Sequence, residues 1–282
     1  MRKLLFNGEL MAADSFRAVL PNRGLFFGDG FFETLVFADG HLRLAANHLA
    51  RMQRAAAALY LELPAILASL EALEKTLAGL AHSNALPSAR LRLQLWRAGG
   101  GRYTPPTDTC EWLATAEPFV PDDSPIIKAD FALETHSVFS PLSFCKGPQA
   151  WIYVRAAHER QRRGLDELIL CDTAGHVTEA GAAAIFWWKN GQLFTPSLAS
   201  GCVAGVQRAK VLRIALEIGL QCTEGLFPQS ELLKAEGVFT ANVAAVRLVQ
   251  QIGLIKFEAP APMWAELLKR LSKPEPSSGT NH

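Results

Sequence analysis

Along Arg90-Leu91-Arg92-Leu93-Gln94-Leu95 apolar and polar residues alternate strictly. A period of two puts one face on a core and the other outward, the pattern of a half-buried strand. Shorter strand patterns cover Arg2 to Phe6, ending at Asn7-Gly8, and Phe32 to Phe37. The second is followed by the turn Ala38-Asp39-Gly40 and a return over His41 to Leu44. From Asn47 to Tyr60 the period lengthens, with Leu49, Met52, Ala56 and Leu59 at threes and fours, which predicts a helix. Pro64 is placed to open the next helix, lined by Ile66, Leu70, Leu73 and Leu77. Further on, strands are predicted at Glu111–Ala116, Ile126–Glu134, Glu167–Cys171, Ala184–Trp188 and Gln192–Thr195. Helices are predicted over Gln149–Arg163, stopping at Gly164, and over Val206–Ile218, stopping at Gly219.

The mixture reads as α+β in two lobes. Phe119-Val120-Pro121-Asp122-Asp123-Ser124-Pro125 is the polar, proline-rich stretch between them. The expected division is a smaller N-terminal lobe over 1–118, a linker over 119–126, a larger C-terminal lobe over 127–271 and a disordered tail over 272–282. Charge adds little: 28 Lys+Arg against 27 Asp+Glu leave a net +1, giving no reason to expect nucleic acid or a membrane surface as partner. The start lacks a signal-peptide pattern, no 18 apolar residues run together, and the 5 cysteines suit reduced thiols, so a cytoplasmic protein is expected.

Several motifs are absent. Gly99-Gly100-Gly101 is not followed by Gly-Lys-Ser/Thr, Gly-x-Ser-x-Gly does not occur, and no His/Cys/carboxylate group has metal-ligand spacing, so no metal is expected. What stands out is a separated set: Asn22 to Thr34 followed by His48-x-x-Arg51, then Ser143-Phe144-Cys145-Lys146, then Val177 to Phe186, then Ser200 to Arg208. A lysine beside apolar residues can be desolvated, which frees its amine as a nucleophile. A buried glutamate can pair with a protonated ring nitrogen. Gly205-Val206-Gln207 opens a helix whose free N–H groups suit a phosphate, as does Arg51. These are the parts a pyridoxal 5'-phosphate (PLP) site needs.

In order and kind these segments resemble the class IV aminotransferase family, also called the D-amino-acid/branched-chain type, from about Leu5 to Ile252. Asn22 to Thr34 is similar to the family's Asp-Arg-Gly…Gly-Asp-Gly-x-Phe-Glu-Thr segment, and His48-x-x-Arg51 to its phosphate-arginine motif. The resemblance implies a two-lobed fold, PLP as cofactor and a homodimer. It makes Lys146 the Schiff-base lysine and Glu179 the partner of the ring nitrogen. Arg51, Val206, Gln207, Ala241 and Asn242 fall on the phosphate side. The chain departs from the family pattern at Gln149, at Ala183-Ala184, at Gln207 and at Val243.

Two branches are implied. Gly28-Asp29-Gly30-Phe31-Phe32-Glu33-Thr34 looks closer to the family's lyase and D-amino-acid branches than to the branched-chain type, and Arg97-Ala98-Gly99-Gly100-Gly101-Arg102 looks like the loop of its aminodeoxychorismate lyases, which release 4-aminobenzoate and pyruvate. On that reading Arg97 and Arg102 bind substrate carboxylates and Thr34 assists proton transfer. The other reading is a transaminase of branched-chain or D-amino acids, since one set of cofactor residues serves both reactions. A third is a PLP-binding protein that has lost catalysis.

Overall fold

The computed structural model describes residues 2–147, 150–258 and 262–272, and the chain falls into two compact units. Gln149 and the expected tail beyond Ser272 lie outside the described residues. The first unit contains residues 2–120 together with 145–147; the second contains the rest. The break after Val120 lies within the expected linker. The segment bearing Lys146 clusters with the first unit instead of the 127–271 lobe expected for it. The reason is a backbone bond: the Lys146 carbonyl accepts the Phe32 N–H at 2.8 Å.

The first unit is a six-stranded sheet of β1 (Lys3–Phe6), β2 (Glu9–Ala12), β3 (Gly30–Ala38), β4 (His41–Leu42), β5 (Ala89–Arg97) and β6 (Cys110–Pro118), in the order β2-β1-β6-β5-β3-β4. Its neighbours are antiparallel throughout. The alternation read from the sequence is realised on β5: Leu91, Leu93 and Leu95 are buried, opposite Leu35, Glu33 and Phe31 of β3. Helices α2 (Ala45–Ala58) and α3 (Leu70–Ser83) pack against this sheet. They bury Met52, Ala55, Leu73, Leu77 and Leu80.

Two local expectations change. Leu44 adopts a left-handed φ of 55°, which cuts the return strand at Leu42 and turns the chain into α2. Pro64 does not open α3. A single 3-10 turn, Ala65–Leu67, intervenes, and the helix begins after Ser69, whose hydroxyl accepts the Ala72 N–H at 3.2 Å. A hydroxyl cap satisfies a first-turn donor, whereas proline merely tolerates lacking one. A short helix that the pattern does not predict, α1 (Arg23–Phe27), is capped by Asn22, which accepts from Leu25 N–H at 2.9 Å, and is closed by Gly28 at φ 61°.

The second unit holds two five-stranded sheets. One comprises β10 (Ala184–Lys189), β11 (Gln192–Pro196), β12 (Cys222–Gly225), β13 (Gly237–Ala241) and β14 (Val246–Val249). The other comprises β7 (Ala129–Ser137), β8 (Glu167–Asp172), β9 (Val177–Ala180), β15 (Gln251–Ile252) and β16 (Ile255–Lys256). Strands β7 and β8 are parallel, as are β11 and β12, and parallel neighbours need a crossover. Helices α4 (Trp151–Arg162) and α5 (Val206–Glu217) supply the two crossovers. On β10, Ile185 and Trp187 join one buried cluster while Phe186 and Trp188 join another, so the strand is covered on both faces and reads as an unbroken apolar run. Among the described residues no helix is long and apolar enough to cross a membrane.

Candidate active site

In the first unit the site begins with a carboxylate in an apolar row. Glu33 lies between Phe31 and Leu35 on the inward face of β3 and is 1% exposed. Residues three apart on a helix share a face, and His48 and Arg51 of α2 meet Glu33 there. Arg51 donates from Nε to Oε1 at 2.7 Å and from Nη2 to Oε2 at 2.5 Å. His48 Nδ1 stands 2.7 Å from Oε2. Burial alone would raise the Glu33 pKa, but Arg51 and His48 outweigh it and hold the carboxyl at about 2. Burial pushes His48 below its usual range, with the charges of Arg51 and Lys146 adding to the effect and Glu33 opposing it. At neutral pH the ring is therefore uncharged. An ionised carboxylate only accepts, so Nδ1 carries the proton, and Nε2 is a buried acceptor with no hydrogen-bond partner among the described residues.

Thr34 follows Glu33 on the opposite face of β3 and is half-buried. It is registered directly across from Arg92, whose guanidinium lies 3.8 Å from the centre of the Phe32 ring. The Lys146 carbonyl takes the N–H of Phe32, two residues before Thr34. Sequence reasoning missed Arg92. Its place opposite Thr34 in the alternating strand is the signal that was available.

Arg97 departs from the expectation of a carboxylate ligand. It is 5% exposed and its donors are engaged: Nε to Asp29 Oδ2 at 3.0 Å, Nη1 to the carbonyls of Tyr60 and Thr107 and to Asp108, and Nη2 to the Leu59 carbonyl at 2.6 Å. It braces the loop after β5. Arg102 is exposed, and its carbonyl accepts from Arg23 Nη1 at 2.6 Å. The segment Asn22 to Gly30 is largely framework: Arg23 Nε meets Asp29 Oδ2 at 2.7 Å, and a Cβ on Gly30 would stand 2.0 Å from the Leu95 carbonyl oxygen.

In the second unit Glu179 sits on β9, 5% exposed. Its Oε1 accepts from the Tyr153 hydroxyl of α4 at 2.7 Å, and its Oε2 from the Val203 N–H at 3.4 Å. Burial first, then the charge of Glu179, pushes the Tyr153 phenol far up, so it is a fixed donor. Burial, helped by Glu179, likewise raises Cys202 to about 11. Helix α5 opens close by. Its cap, Gly205, has no side chain to receive the first-turn N–H groups, and Val206, Gln207 and Arg208 are all buried. A buried helix start without a side-chain cap is a cradle for an anion.

Ala241 is paired with Ala184 across β13 and β10. Asn242 is spent on its own loop: its N–H goes to Ala245 O at 3.0 Å, its Nδ2 to Ala182 O at 3.2 Å, and its Oδ1 receives the N–H groups of Ala244 and Ala245. These bonds hold the loop that the resemblance puts on the phosphate side. Tyr153 is the second residue that sequence reasoning missed, because nothing local links position 153 to 179.

A Salmonella typhimurium branched-chain-amino-acid aminotransferase is 24% identical over 250 residues, 85% of this chain and 81% of that protein. A D-alanine aminotransferase of Bacillus licheniformis is 27% identical over 272 residues, 93% of each. Among solved structures, a Legionella pneumophila protein provisionally named a 4-amino-4-deoxychorismate lyase superposes with a TM-score of 0.82 at 20% identity, covering 92% of this chain and 97% of its own, a likeness of fold. The family model of amino-transferase class IV matches residues 30–252, most of the sequence. On the strength of that match, the chain belongs to the class IV aminotransferases, a family of PLP-dependent enzymes.

Proposed function

We propose that this chain is a PLP-dependent 4-amino-4-deoxychorismate lyase, releasing 4-aminobenzoate and pyruvate. The observation that carries this choice is Thr34 standing opposite Arg92, two residues from the β3 position that binds the Lys146 backbone. A hydroxyl and a cation beside the strand position that binds the Lys146 backbone suit a substrate that carries carboxylates and must be protonated as it breaks.

The residues fit the cofactor. Lys146 would supply the amine for its carbonyl carbon, and Arg51 a guanidinium for its phosphate. Glu179 would supply the carboxylate for its ring nitrogen, and the N–H groups at Val206 and Gln207 a helix start for the phosphate. When bound, PLP supplies an electron sink conjugated to the substrate nitrogen. Glu179 holds the proton at the ring nitrogen. Glu33 fixes Arg51 in a two-point grip, so the arginine meets an anion already oriented. The Lys146 amine moves the proton at the reacting carbon. The Thr34 hydroxyl assists that transfer, and Arg92, with exposed Arg102, receives the carboxylates. Arg97 acts through the loop it braces.

The second reading is a transaminase. It is favoured by relatives that carry transaminase names and are similar over most of their length. Purified PLP-loaded protein should release 4-aminobenzoate and pyruvate from 4-amino-4-deoxychorismate with no keto acid added as acceptor. Keto-acid-dependent conversion of branched-chain or D-amino acids with no aminobenzoate formed would replace the lyase by the transaminase.

A further inference from the structure

Glu179 gains its orientation from a helix far away in sequence. Leu170 of β8 is registered directly opposite Glu179 of β9. Tyr153 packs against the small cluster of Ala132, Ala156, Leu168 and Leu170, which leads its phenol to the carboxylate. The 2.7 Å bond to Oε1 is short and half-buried, and the donor cannot ionise in the working pH range. The strand beneath is pinned from its other side: Thr178 donates to the Leu170 carbonyl at 3.0 Å and meets Ser137 Oγ at 3.0 Å.

We propose that Tyr153 is a positioning residue for Glu179: its hydroxyl occupies Oε1, lowers the carboxylate's basicity, and turns Oε2 toward the ring nitrogen of PLP. This deepens the function proposed above and rests on Glu179 serving that nitrogen. A donor to a carboxylate stabilises its charged form. With the phenol in place, the proton stays on the ring nitrogen. Without it, the carboxylate draws that proton back.

The test uses the full chain loaded with PLP. Tyr153→Phe removes one oxygen and little volume. It should weaken PLP binding about tenfold, the size of one hydrogen bond to a charged group. It should also move the pH midpoint of the bound cofactor's absorption band upward, a shift that a merely structural role would not produce. Glu179→Gln should do more. The double variant should be no weaker in PLP binding than Glu179→Gln alone, because the phenol acts through the carboxylate. Should Tyr153→Phe fold poorly, fluorotyrosine at 153 keeps the shape and strengthens the donor, and its midpoint should shift downward. Additive losses in the double variant would overturn the inference, as would an unchanged affinity and midpoint in Tyr153→Phe beside a clear effect of Glu179→Gln. If Glu179→Gln itself changes neither, the ring-nitrogen assignment fails and takes the role of Tyr153 with it.

Discussion

Two buried carboxylates, Glu33 and Glu179, are supported in different ways. Glu33 is met by a guanidinium at two points and by a histidine, and its charge is balanced on the spot. Glu179 receives a phenol and a backbone N–H, donors that aim a carboxylate. The contrast separates two uses of the same side chain. In the first unit the carboxylate serves a neighbour, holding Arg51 in place. In the second unit the neighbour serves the carboxylate.

The largest expected effect concerns neither carboxylate. Lys146→Ala should abolish the absorption band of lysine-bound PLP and lower turnover by at least ~10²-fold, the contribution of one positioned proton-transfer group. An unchanged spectrum would refute the cofactor assignment. Next, Glu33→Ala should cost about 3–5 kcal/mol, because it strands the buried Arg51 charge. Glu179→Gln keeps an oxygen for Tyr153 and should cost about 1 kcal/mol or less in stability, while lowering PLP affinity. Equal melting temperatures for these two variants would break the comparison.

Arg97→Lys comes third. Ammonium cannot reproduce the spread of contacts to Asp29, Asp108 and three carbonyls, so a loss of about 2 kcal/mol is expected. If KM rises tenfold with stability intact, Arg97 is a substrate ligand after all. The pH response is smaller. Folded His48 titrates below its unfolded pKa of 6.5, so its contribution is full above that pH and falls as the unfolded ring protonates below it. Folded Glu33, at about 2 against 4.5 unfolded, adds a second loss as pH drops from about 4.5 toward 2. Denaturant midpoints measured between pH 8 and pH 3 should decline in these two stages, and Glu33→Ala should shrink the lower one, leaving the share of Glu159 and Asp172. Smallest is thiol reactivity: Cys202, at about 11 and buried, should resist a thiol reagent at pH 7 until the protein unfolds.

What was legible in the sequence was what repeats. The two-residue period of β5 and the three-to-four spacing of α2 are properties of single segments, and both elements form where they are expected. The order of the motifs around Glu33, Arg51, Lys146 and Glu179 was legible too. Contacts made by carbonyl groups were not. Arg97 is held by the backbones of Leu59, Tyr60 and Thr107, and any residue supplies a carbonyl, so no side chain announces them. The partners of Asn242 were hidden for the same reason, since they are backbone groups of alanines. Tyr153 escaped because its partner lies across a crossover, 26 residues on. The α3 start was misplaced because proline and serine both mark helix openings, and the hydroxyl prevailed.

The first unit takes its last described piece from residues 145–147, after the chain has already entered the second. Synthesis runs from the N-terminus, so the ribosome must deliver the 121–144 stretch before that unit has all its parts. A nascent chain stopped at Val120 would have six strands but nothing to accept the Phe32 N–H, and it would carry no lysine at the site. The amine proposed to react is thus withheld until translation has passed the boundary between the units.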